Sequence, residues 1–135
     1  MTHLSSAPIL VEIGPGELID KITILQIKTE RMTDGAKLAN VRHELAVLHQ
    51  ARQAHLAASA EANELESALK QVNGQLWDIE DEIRECEAAG NFGPRFIELA
   101  RAVYRTNDRR AALKKQINLL TGATIVEEKS YAGTP

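Results

Sequence analysis

Apolar residues recur along this chain at helical spacing, in four separate stretches. A short β-branched run at Ile9–Ile13 comes first and is closed by Gly14-Pro15-Gly16, which reads as a strand and a turn. Leu18, Ile22, Leu25, Thr29 and Met32 then fall at heptad intervals and predict a helix over 17–33. Ile19, Ile24 and Ile27 widen its stripe, so this helix must be covered on more than one side. Glu17 and Asp20 sit in its first turn, where carboxylates complement the positive end of the helix dipole. A second helix over 36–56 carries Leu38, Val41, Leu45 and Leu48, and the pattern lapses at Arg52 and His55. The small, polar stretch His55–Asn63 reads either as a turn or as a stutter in one long helix, and the apolar register restarts out of phase at Leu65, as a turn would have it. The longest register follows: Leu65, Leu69, Val72, Leu76, Ile79, Ile83 and Cys86 alternate by four and three, predicting a coiled-coil-like helix over 62–89. Gly90 and Pro94 are stop and start signals before a last helix over 94–121. Phe96, Leu99 and Val103 hold its register, Thr106 and Arg110 break it, and Leu113, Ile117 and Leu120 resume it. Ile125 and Val126 among charges predict a short second strand and tail over 124–129.

These elements predict one mainly all-α domain over 1–135, an antiparallel four-helix bundle whose short terminal strands pair where the chain ends meet. At 1.5 Å per residue the third and fourth helices span ~40 Å, far more than the first. Their hairpin end, residues 79–104, therefore projects, and Ile97, Ala100 and Tyr104 form a second apolar stripe away from the hairpin seam. Such an arm predicts a homo-oligomer, a dimer through 79–104, or another protein partner.

Composition narrows the class. The chain has 135 residues, 44% hydrophobic and 26% charged, which suits a single soluble domain. Its one cysteine, Cys86, cannot form an internal disulfide, which fits a reducing, cytoplasmic setting. A formal net charge of −3 disfavours nucleic acid, and no apolar run reaches the length of a membrane span.

Candidate chemistry gathers where the last helix breaks its register. Folding the hairpin about its loop sets Val72–Leu76 opposite Thr106–Arg110. Asn73, Trp77, Glu80 and Arg84 share one face there, and Arg101, Tyr104, Asn107, Asp108, Arg110 and Lys114 come from the other helix. The group reads either as an ion-pair network that fixes register or as a polar pocket for an anionic metabolite, with Trp77 and Tyr104 as walls. Gly74, in mid-helix, is expected to permit close approach of another backbone or ring. A second group, Glu17, Asp20 and Lys21 with Glu127, Glu128, Lys129 and Tyr131, reads as a lock on the termini or a second site. Asp78, Asp81, Glu82 and Glu85 have a spacing that can hold Mg²⁺, but they lie on a plainly acidic, solvated face, so no metal and no cofactor are expected. Neither a phosphate loop nor a nucleophile motif is present, and no catalytic residue can be named.

The motifs GELIDKITILQIK (Gly16–Lys28), NGQLWDIEDEIRECE (Asn73–Glu87), FIELARAVYRTNDRRAALKKQIN (Phe96–Asn118) and IVEEKSY (Ile125–Tyr131) resemble a family of uncharacterised bacterial and phage proteins, a domain of unknown function. The resemblance implies the same helical fold and no particular activity. A second likeness is to the all-helical chorismate mutases, through Glu17–Ile22 with Arg31-Met32, and through Gly93–Ile97 with Gln116. It would imply a dianion held between helices by Arg31, Lys37, Arg42 and Gln116. The sequence thus points to a self-associating helical interaction or accessory module. The alternative is a protein or enzyme that binds a small anionic molecule.

Overall fold

The computed structural model describes residues 7–125 and 127–132 and contains there four helices: α1 (Pro15–Arg31), α2 (Gly35–His55), α3 (Ala60–Ala89) and α4 (Pro94–Leu120). Their ends follow local chemistry. Pro15 and Pro94 open α1 and α4 in the first turn, where a missing N–H costs nothing. Asp34 caps α2 by accepting from the Lys37 N–H at 3.0 Å, and Ser59 caps α3 by accepting from the Ala62 N–H at 3.0 Å. Gly90 ends α3 in the left-handed region, at φ 65°, which lets the Asn91 N–H turn back to the Cys86 carbonyl at 2.8 Å.

The helices do not form a ring of four. α1 lies against all three others, whereas the backbone of α2 lies against α1 alone. The core is therefore a three-helix unit of α1, α3 and α4, with α2 laid along the outer side of α1. Sequence explains the asymmetry. α1 buries Leu18, Ile19, Ile22, Leu25 and Ile27, residues that point all round the helix, while α2 buries only Val41. Ile22, Leu69 and Ile117 meet at the centre, and Leu45, Leu48 and Leu65 close over them. Each such side chain contributes about 1.5–3 kcal/mol on leaving water. Arg52, which interrupts the stripe of α2, grips Glu66 of α3 through both carboxylate oxygens.

The chain departs from its sequence pattern at two places. Among the described residues there is no strand, and Ile9–Ile13 and 127–129 are not paired; Val126 lies outside the described residues. The tail instead turns its charges onto α4, with Glu127 on Lys114, Glu128 on Lys115 and Lys129 4.0 Å from Asp108. Gly74 is not a point of close approach either: a methyl group added there would meet only the Arg31 guanidinium tip, at 4.0 Å. The close approach is at Gly16, where a Cβ would lie 2.4 Å from the Lys114 carbonyl oxygen, and the Gly16 N–H donates to Asn118 Oδ1 at 2.8 Å.

The last turn of α1 reaches α3 at Asp78, through Arg31 at 2.5 Å. Within residues 79–104 Leu99 is the one buried side chain. No helix among the described residues is long and apolar enough to cross a membrane.

Candidate functional site

Asp20 is the pivot. Its place in the first turns of α1 suggests a solvated carboxylate, yet it is 1% exposed and turned inward. A carboxylate buried so deeply must be paired and fully hydrogen-bonded. Arg110 of α4 supplies both, with Nε donating to Oδ1 at 2.9 Å and Nη2 donating to Oδ2 at 2.5 Å. Asn73 of α3 adds a third bond, Nδ2 to Oδ1 at 2.9 Å, and also donates to Thr23 Oγ1 at 2.9 Å. The Thr23 hydroxyl in turn donates to the Asp20 carbonyl at 2.8 Å. The Asp20 hydrogen bond raises the Arg110 guanidinium above its ordinary pKa against the opposing effect of burial, and the charges of Asp20, Glu17 and Glu127 add to the rise. The register break in α4 is thus filled mainly from α1. That partner lies 90 positions away and carries no local signal.

Beside this network opens a pocket of about 410 Å³. Ile24, Ile27, Leu76 and Trp77 form its apolar walls, Asn73 and Arg110 bring the network to it, and Glu80, Asp81 and Arg84 complete the lining. A family model, described as a family of unknown function (DUF6165), matches residues 9–135. The chain belongs to DUF6165. No curated protein and no solved structure matches it. The span matched to DUF6165 takes in all four helices, the Asp20 network, the pocket and the tail.

In this DUF6165 chain the residues picked out around the register break divide. Asn73, Trp77, Glu80, Arg84 and Arg110 do come together in the pocket. Arg101 does not; it lines a separate depression with Ile97, Glu98 and Arg105. Tyr104 is exposed and is not a wall. Arg101 and Arg105 beside its hydroxyl hold it below its ordinary pKa. Asn107 is half-buried outside the pocket, and Asp108 faces Lys129. Lys114 belongs with the termini, where it lies 2.6 Å from Glu17 and 3.0 Å from Glu127. Nor is Arg110 a free anion anchor, because Asp20 neutralises it.

The terminal group is present without Asp20. Lys114 joins α1, α4 and the tail, Lys21 lies 3.7 Å from Glu17, and Lys129 sits 5.9 Å from the Tyr131 ring centroid. Burial pushes the Glu17 carboxyl up. The Lys114 and Glu127 hydrogen bonds and the charges of Lys114 and Lys21 outweigh it and leave Glu17 at about 2. Arg31, Lys37, Arg42 and Gln116 converge nowhere: Arg31 is held by Asp78, and the other three are exposed on α2 and α4. The acidic run on α3 is divided between Arg31, which takes Asp78, and Arg95, which takes Glu82. Thr23, Ile24 and Ile27, which complete the network and pocket, look in the sequence like ordinary stripe residues.

Proposed function

We propose that this chain is a helical interaction module that pairs with a second copy of itself through the projecting hairpin, residues 79–104. The observation that carries the reading is an opposition of charge on the two helices of that hairpin. α3 presents Asp81, Glu82, Glu85 and Glu87 against Arg84, while α4 presents Arg95, Arg101 and Arg105 against Glu98. Among the described residues Arg95–Glu82 is the one ion pair that joins the two helices there, and Glu85, Glu87, Arg101 and Arg105 are exposed, the two arginines beside the Tyr104 hydroxyl. On α4 with these arginines are Ile97, 56% exposed, and Tyr104, 54% exposed, with Ala100 also at the surface. A two-fold axis beside the hairpin lays the acidic helix of each copy on the basic helix of the other, and the apolar stripe is covered between them. Self-complementarity of this kind is what an isologous dimer requires. Burial of the stripe supplies affinity, and the charges set orientation. The lone Cys86 supports a reducing, cytoplasmic setting for such a module.

Light scattering over a concentration series tests the reading. The chain is expected to be a dimer that dissociates as salt rises. Arg101→Glu with Arg105→Glu is expected to give a monomer with an unchanged melting temperature, and so is Glu85→Lys with Glu87→Lys. Mixing the two variants should restore a dimer. A wild-type monomer at hundreds of micromolar, or variants that associate as the wild type does, would rule the hairpin out.

A further inference from the structure

We propose that the pocket between α1, α3 and α4 binds a small, neutral, planar ligand bearing a lactam edge, an N–H beside a C=O. The site is separate from the hairpin surface and does not depend on pairing of two copies. The protons of the Asp20 network are fully assigned by its hydrogen bonds. The Thr23 hydroxyl spends its hydrogen on the Asp20 carbonyl, so its oxygen can only accept from Asn73. Asn73 must therefore present its NH₂ group to Thr23 and Asp20, and both amide hydrogens are consumed. Its Oδ1 accepts no hydrogen bond from any described residue, although Asn73 is only 5% exposed and lines the pocket. No buried side-chain oxygen among the described residues lacks a partner, so this oxygen is reached from the pocket that Asn73 lines, and a ligand N–H can take the place of water on it. Arg110 gives Nε and Nη2 to Asp20, and the two hydrogens of Nη1 remain for an acceptor.

The pocket thus offers one fixed acceptor and one fixed donor pair, both anchored on the same Asp20 carboxylate. A lactam edge matches them, with its N–H to Asn73 Oδ1 and its C=O to Arg110 Nη1. Charge selects against an anion. Asp20 cancels Arg110, and Glu80 and Asp81 outnumber Arg84 in the lining. Shape selects a ring: Trp77, Leu76, Ile24 and Ile27 make apolar walls, and a volume of about 410 Å³ falls in the range of small-molecule sites.

The test uses the full chain and simple probes. Trp77 is the only tryptophan, so quenching of its fluorescence reports this pocket, with calorimetry run in parallel. The probes are α-pyridone and its benzo-fused homologue, their N-methyl derivatives, and benzoate as an anion of similar shape. The lactams are expected to bind saturably, quench Trp77 and raise the melting temperature. N-methylation, which removes the hydrogen for Asn73, is expected to weaken binding at least tenfold, and benzoate is expected to bind more weakly than the lactams. No saturable binding of either lactam through the millimolar range would overturn the proposal. So would equal binding of the N-methyl forms, or tighter binding of benzoate. The protein is unaltered throughout, so no outcome is confused with misfolding.

Discussion

Replacing Arg110 with Met keeps the aliphatic stem and removes the guanidinium. Asp20 then retains Asn73 as a donor but has no countercharge at 1% exposure. Removing one partner of a buried pair costs about 3–5 kcal/mol, because the surviving charge stays desolvated. The Arg110 side chain is 30% exposed, so water from the pocket side can reach the vacated position. The lower end, about 3 kcal/mol, is the expected loss. For a chain of this length that corresponds to a fall in melting temperature of about 10 °C. Asp20→Asn keeps the shape and leaves the charge on Arg110, which can hydrate, so its expected cost is about 1–2 kcal/mol. In the double variant neither charge is stranded, and the total should be smaller than the sum by about 2 kcal/mol. Urea unfolding followed by circular dichroism, with Trp77 fluorescence as a second probe, measures all three. Costs that add to within about 0.5 kcal/mol would refute the coupling. So would an Arg110→Met variant that loses less than about 1 kcal/mol.

Further consequences can be checked the same way. Gly16→Ala drives a methyl group against the Lys114 carbonyl and should cost about 3 kcal/mol or more. Gly74→Ala, which meets almost nothing, should stabilise by up to about 1 kcal/mol through helix propensity. Leu69→Ala empties a fully buried position and should cost about 2–5 kcal/mol, read from the urea midpoint. Glu17 is held at about 2 in the folded chain against an ordinary 4.5, so its contribution is present above the ordinary value and is lost as pH falls toward the folded one. After allowance for its partial exposure the loss is about 2 kcal/mol. It should be smaller in Lys114→Met, as a series of urea midpoints taken into acid would show.

What the sequence discloses follows from the range of the interactions concerned. Helix periodicity, the Asp34 and Ser59 caps and the Gly90 stop are local, so the all-α class and the four helices are legible from neighbouring residues. The hairpin register is nearly as local: Arg109 bonds to Gln75 at 3.2 Å, within a residue of the expected pairing. The excess of apolar residues on α1 also says that it needs cover on several sides. Nothing local says that α2 supplies only one of them. Asp20 shows the limit most sharply. A carboxylate early in a helix has a sufficient local explanation in the dipole, and that explanation conceals a buried ion pair to α4. Tyr104 and Arg101 failed as pocket residues for a related reason. Helical spacing fixes which face of α4 they share, but the position of α1 decides which face is inside. The terminal strands illustrate competition, since charges that would flank a ladder found partners on α4 instead.

The position of α1 at the centre of the core also shapes how the chain must fold. The bonds that fasten it to α4 join residues 102 and 90 positions apart, among the most distant contacts the molecule makes. During synthesis α2 follows at once and can cover one side of α1 as a local hairpin. The opposite side, with its apolar residues and the unneutralised Asp20, waits for α3 and then for Arg110. Closing so long a loop is entropically slow compared with local pairing, so docking of α4 is expected as the late step of folding. Until it happens, the uncovered side of α1 is the surface most exposed to aggregation and to capture by chaperones. Of the four helices, the one made first is the last to be finished.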